Sequence, residues 1–308
     1  MSTPGSDLIT LLDIEPLEVD LFRGQGSGGE TPTRIFGGQV IAQALNAACK
    51  TVEDRLCHSL HAYFMRPGDP SVPVIYEVDR AHDGGSFTTR RVVAIQHGKQ
   101  IFNLAASFHK AEPGLGHQHI MPKVAGPEGL QTREEFREQY RVRIPEKHRA
   151  DFFRKSPVEI RPVAPRDLFA PVPADDKNAL WFRIPGAAGN QRMQRCLLAY
   201  ASDISLLGSA LRPHAATWFT GDVMTASLDH AMWFHGPVNF ADWHLYSLDA
   251  PWTGGARGFT RGLIYAADGT LVASTTQEGL VRPIAKRQPF ADGEERAPSY
   301  SRTENNSG

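Results

Sequence analysis

The stretch TASLDHAMWFHGP, residues 225–237, sets a hydroxyl (Ser227), a carboxylate (Asp229) and an imidazole (His230) within four positions. Those types can build a nucleophile with its base, or a site that activates water. In a regular strand, Leu228, His230, Met232 and Phe234 share one face, while Ser227, Asp229, Ala231 and Trp233 share the other. A base must reach its hydroxyl within hydrogen-bond distance, so a regular strand disfavours a local Ser227–His230 dyad. There is also no G-x-S-x-G elbow, since LGSAL (207–211) and GGSFT (84–88) lack the second glycine. From its residues alone, Ser227 reads as a structural strand serine.

Two other polar residues sit in apolar surroundings. On a helix, Asp203 has Ala199, Tyr200, Leu206 and Leu207 three and four positions away, which places it on a buried stripe. A buried carboxylate needs a partner. It serves either as a general base that positions water or as a structural group tied to backbone donors or an arginine. Gln277 lies in LVASTTQEGLVR (271–282), where a buried amide must be satisfied. It orients a water or an oxyanion, or it makes a cross-strand hydrogen bond.

Weaker candidates surround these. His58 with His61, and His117 with His119, have no third ligand at a metal-binding spacing, so no metal is expected. Arg66, Arg90, Arg91, Arg261 and Arg282 are cations that meet either phosphates or solvent. HDGGS (82–86) is glycine-rich without the phosphate-loop pattern and reads as a turn.

The elements that must position these residues occur twice. Residues 58–110 and 228–282 both run strand, proline turn, strand, double-glycine turn, Arg-bearing strand, tight turn and final strand. The tight turns are HGK at 97–99 and DGT at 268–270, the second a hairpin signal. A helical pattern precedes each run: GGQVIAQALNAACKTV (37–52) and RCLLAYASDISLLGSAL (195–211). A long helix against a curled antiparallel sheet buries both apolar faces, and two such halves would set their sheets side by side. The fold class is therefore α+β with tandem repeats: 1–115, a connector at 116–175, and 176–285. The connector should hold one charged helix near 131–142, with strands at 158–163 and 178–184. The polar tail, 286–308, is expected to be disordered.

Bulk composition limits the function. The 308 residues carry 33 basic and 34 acidic side chains, for a net charge of −1, so no nucleic-acid partner is expected. Cys49, Cys57 and Cys196 match no zinc spacing and read as reduced thiols. No apolar run is long enough to span a bilayer, and neither a signal peptide nor a peroxisomal ending is recognisable. A cytoplasmic protein without a membrane partner is the expectation.

RIFGGQVIAQAL (34–45), LHAYFMRPGDP (60–70), DGGSFTTRRV (83–92), YASD (200–203), SLDHAMWFH (227–235), ARGFTRG (256–262) and ASTTQEGLVR (273–282), in that order, resemble the acyl-CoA thioesterase II family. These are double hot-dog proteins shared by bacteria and eukaryotic peroxisomes. The similarity covers most of residues 8–284 and is weakest at 111–178. The resemblance implies hydrolysis of acyl-CoA to fatty acid and CoA, no cofactor beyond the CoA of the substrate, and a homo-oligomer. It puts the catalytic aspartate on Asp203, the hydroxyl residue on Ser227 and the glutamine on Gln277, which together hold the attacking water. Candidate substrate contacts are Gly38, His58, Arg66, Gly85, Ser86, Asp229, His230 and Arg282. In the repeat alignment Ser227 falls on Cys57, and Gln277 close to Ala106, so one active site per chain is expected. The alternatives are a hot-dog acyl-CoA hydratase or dehydratase, and a non-catalytic acyl-CoA-binding protein. A serine esterase ranks last.

Overall fold

The computed structural model describes residues 4–27 and 33–286. The expectation for the tail, 286–308, falls almost wholly outside the described residues. In chain order the elements are α1 (Pro4–Leu12), β1 (Glu15–Glu18), β2 (Leu21–Gly24), α2 (Gly37–Lys50), β3 (Leu56–Phe64), β4 (Val74–Asp83), β5 (Phe87–Gln96), β6 (Lys99–His109), α3 (Arg133–Glu138), α4 (Glu146–Phe152), β7 (Glu159–Pro162), β8 (Asn178–Arg183), α5 (Gln191–Ser202), β9 (Val223–Ser227), β10 (Asp229–Phe234), β11 (His244–Gly254), β12 (Arg257–Ala266) and β13 (Leu271–Pro283).

The strands form one antiparallel sheet, ordered β1-β2-β4-β5-β6-β3-β10-β13-β12-β11-β8-β7, with β9 also on β13. The order is mirrored about the β3–β10 seam, where Asp229 pairs with Tyr63 and Trp233 with Ser59. The halves thus lie side by side in a single sheet, as the repeat predicts. Local chemistry closes the hairpins. His97 and Gly98 both take positive φ, 49° and 68°, and join Gln96 to its partner Lys99. That is the twist a two-residue hairpin needs.

Two helices fill the concave face. Helix α2 is buried almost all round, from Gly38 to Cys49, because β3–β6 wrap it on one side and α5 covers the other. Its small residues Ala42, Ala44, Ala47 and Ala48 permit that close approach. Full burial of Ile41 and Leu45 contributes roughly 1.5–3 kcal/mol each. The Asn190 side chain caps α5 by accepting from Met193 N.

Three expectations need correction. Helix α5 ends at Ser202 and does not run through to residue 211. Ser205 takes φ 69°, which no right-handed helix continues through, and a separate 3₁₀ segment, Leu207–His214, follows. Asp203 is therefore the C-cap of α5 and not a residue of its interior stripe. The connector holds a second helix, α4, besides the charged one expected near 131–142. Thr132 and Glu135 make a capping box on α3, and Tyr140, Ile144 and Phe152 form their own core with Phe169 and Phe219. The third correction concerns the strand that carries Ser227.

Candidate active site

Ser227 and His230 do not lie on opposite faces. Ser227 pairs with Gly279, whereas Ala231 pairs with Thr276. Four residues on one side thus match three on the other, which makes a one-residue bulge at Leu228. The bulge returns Ser227 to the inner face, with His230, Met232 and Gln277. The Asp229 carboxylate fills the gap it opens: Oδ1 accepts from Glu278 N at 2.6 Å. Burial raises the Asp229 pKa above the usual carboxylate value, and the neighbouring Glu278 charge adds to the effect.

The centre of the site is a contact between residues 74 positions apart. Gln277 Nε2 donates to Asp203 Oδ1 at 2.7 Å. Gln277 is 1% exposed, and its Oε1 is buried with no hydrogen-bond partner among the described residues. His230, wholly buried, lies behind it, with Nδ1 at 3.5 Å from Gln277 Nε2 and Nε2 at 2.9 Å from Ser202 Oγ. Burial lowers the His230 pKa, and the nearby Asp203 charge opposes that only in part. Tyr246 OH donates to Ser202 O at 2.9 Å and meets Thr275 Oγ1 at 2.8 Å, which holds the α5 terminus against the sheet.

The other wall comes from the first half. A Cβ placed on Gly37, the first residue of α2, would lie 2.6 Å from Asp203 Oδ2 and 3.0 Å from the Phe64 ring. A Cβ on Gly38 would lie 2.1 Å from Tyr200 O. The paired glycines therefore let the start of α2 abut the end of α5. The Asp203 carboxylate faces the positive end of α2, where Gln39 N and Val40 N bond Phe36 O and the Gly37 and Gly38 N–H groups come before the first such bond.

Of the sequence candidates, Asp203, Gln277, His230, Asp229, Ser227 and Gly38 converge on this region. Arg282 lies farther along β13, exposed, opposite Met224. Arg66 lies just beyond β3, exposed, with Nη1 on Gln100 O at 2.6 Å. His58 lies five residues from Tyr63, roughly 16 Å along the strand. It bonds Ser107 Oγ at 2.8 Å. Ser86 donates to Glu112 at 3.0 Å, and Gly85 O accepts from Arg55 Nη2 at 2.9 Å. His58, Gly85 and Ser86 are not brought to Asp203. Sequence reasoning passed over Gly37, Ser202 and Tyr246. The FGG start of α2 carried a signal for Gly37, but Ser202 and Tyr246 had none.

Two family models match the chain: "Acyl-CoA thioesterase N-terminal domain" over residues 28–109, and "Acyl-CoA thioesterase" over 147–280. The chain is 43% identical over 289 residues to mouse acyl-coenzyme A thioesterase 8, covering 90% of this chain and 89% of that one. It is 38% identical to the crystal structure of an acyl-CoA thioesterase II from Mycobacterium marinum, with a TM-score of 0.74, covering 92% of this chain and all of that one. A hot-dog protein from Alicyclobacillus acidocaldarius shares the fold at TM-score 0.72 and 16% identity, covering 91% and 99% of the two chains. The molecule is a double hot dog, and the chain belongs to the acyl-CoA thioesterase II family of thioester hydrolases.

Proposed function

We propose that this chain hydrolyses acyl-CoA thioesters to free fatty acid and CoA by direct attack of a water held by Asp203, Ser227 and Gln277. The observation that carries the reading is the 2.7 Å hydrogen bond from buried Gln277 to Asp203, beside the glycine start of α2. It joins a base to an amide whose remaining oxygen faces no protein donor among the described residues.

Asp203 Oδ2 accepts a proton from water as the water oxygen attacks the thioester carbon. Gln277 Oε1 accepts a hydrogen bond from the second O–H, whose proton stays on the attacking oxygen, and the Ser227 hydroxyl fixes the water from β9. The carbonyl oxygen gains negative charge at the first turn of α2, whose N–H groups stabilise it. Collapse breaks the C–S bond, and the thiolate leaves with the proton from Asp203. The proposed chemistry draws on no metal or redox group. Three buried, unpaired cysteines suit a reducing compartment, which agrees with a cytoplasmic enzyme.

The test is thiol release from acyl-CoAs of increasing chain length, with Asp203→Asn alongside. A general base contributes roughly 10²–10⁴-fold, so the variant should lose that much kcat with its melting curve intact. Near-normal turnover in folded Asp203→Asn would sink the assignment.

A further inference from the structure

We propose that His230 is a positioning residue that locks the orientation of the Gln277 amide; this role rests on the water-attack reading above. One protonation pattern satisfies every hydrogen bond around His230. Ser202 Oγ donates its only proton to Ala199 O at 2.9 Å. With that proton so placed, Ser202 Oγ accepts from His230 Nε2, and a ring N–H at Nε2 with a lone pair on Nδ1 is also the tautomer that suits the Gln277 Nε2 donor opposite it. That lone pair faces Gln277 Nε2, whose other N–H goes to Asp203 Oδ1.

Both amide protons of Gln277 are thus directed, one to a carboxylate and one to an imidazole. A flipped amide would aim Oε1 at the Asp203 carboxylate and at a bare ring nitrogen, acceptor against acceptor. The flip is disfavoured from two directions, and Oε1 stays turned toward the water. Burial keeps the imidazole neutral, which this arrangement requires. The 3.5 Å separation is long for a hydrogen bond, and such contacts often tighten only once substrate is bound. Asp203 is the charged group near the ring, and it belongs to the same chain of contacts.

Two substitutions separate positioning from packing. His230→Asn places an amide oxygen where Nδ1 stands and keeps the acceptor for Gln277. His230→Gln places its head where Nε2 stands, keeps the reach to Ser202 and loses that acceptor. The expected result is kcat within about threefold of wild type for Asn and a loss of about tenfold or more for Gln, with KM little changed in both. The reverse order, or a loss confined to KM, overturns the proposal. In a Gln277→Ala background, His230→Gln should cost nothing further, because its effect runs through the missing amide. Multiplying losses would overturn the role of His230 and leave the water-attack reading standing. An unimpaired Gln277→Ala enzyme would overturn that reading and this role with it. Nitrogen NMR of the wild-type imidazole needs no variant: it should show Nε2 protonated and Nδ1 bare, and the opposite tautomer overturns the proposal.

Discussion

The Arg90 guanidinium donates to both oxygens of Thr51, at 2.9 Å to the side chain and 3.1 Å to the main chain. Thr51 caps α2 as Asp203 caps α5. Leu60 pairs with Ala106 where the second half sets His230 near Gln277. Arg90 pairs with Ala106 as Thr260 pairs with Gln277. The first half therefore holds a counterpart of the polar site in which the aspartate, imidazole and glutamine are replaced and an arginine fills the space. Arg90 is 2% exposed and also donates to His82 O, Thr89 O and Asp83.

Arg90→Met should then act on stability and not on chemistry. It removes the charged donor of Thr51 Oγ1, Thr51 O and Thr89 O, a loss of roughly 1.5–3 kcal/mol. Thermal melting should fall while kcat of the folded fraction stays near wild type. A drop in kcat without loss of stability would show that the counterpart site takes part in turnover.

The paired glycines at the start of α2 should separate by phenotype. On Gly37 a methyl group meets the Asp203 carboxylate and the Phe64 ring. On Gly38 it meets the main-chain oxygen of Tyr200, which cannot swing aside. Gly37→Ala is expected to lower kcat by displacing the carboxylate, with a modest change in melting. Gly38→Ala is expected to force α2 from α5 and cost about 1–3 kcal/mol of overpacking. Equal melting temperatures for the two variants would contradict the geometry.

Local signals were legible in the sequence. His97-Gly98 and Asp268-Gly269 announced hairpins, and the repeat announced the halves, because turn chemistry and alternation act within a few residues. The site was legible in part. Asp203, Ser227 and Gln277 became candidates together only through family resemblance, while pattern alone read Ser227 as structural and left Asp203 and Gln277 open. The bulge at Leu228 explains why alternation alone put Ser227 and His230 on opposite faces, since one extra residue reverses the facing of everything before it. The Gln277–Asp203 contact spans 74 positions and needs the sheet and α5 packed together to exist. The end of α5 was missed because Ser205 enters the left-handed region without a glycine or proline to mark it.

Asp229 gives a pH-dependent prediction. Its carboxylate supports the bulge by accepting from Glu278 N, yet burial and the Glu278 charge raise its pKa. A raised carboxylate pKa means that the folded state binds more protons than the unfolded chain. The contribution to stability is then greatest below the ordinary carboxylate value, near 4, and is lost as pH rises through the folded value. At neutral pH the charge therefore opposes folding. Asp229→Asn keeps an oxygen for Glu278 N and removes the charge, so it should melt at or above the wild-type temperature at pH 7. That advantage should shrink as pH falls toward 4. Asp229→Leu removes the acceptor, leaves the Glu278 N–H stranded at the bulge, and should melt lower at every pH. Melting curves for the three proteins between pH 4 and 8 check both claims. An Asn variant less stable than wild type at pH 7 would mean that the charge itself, and not only the acceptor, holds the bulge together.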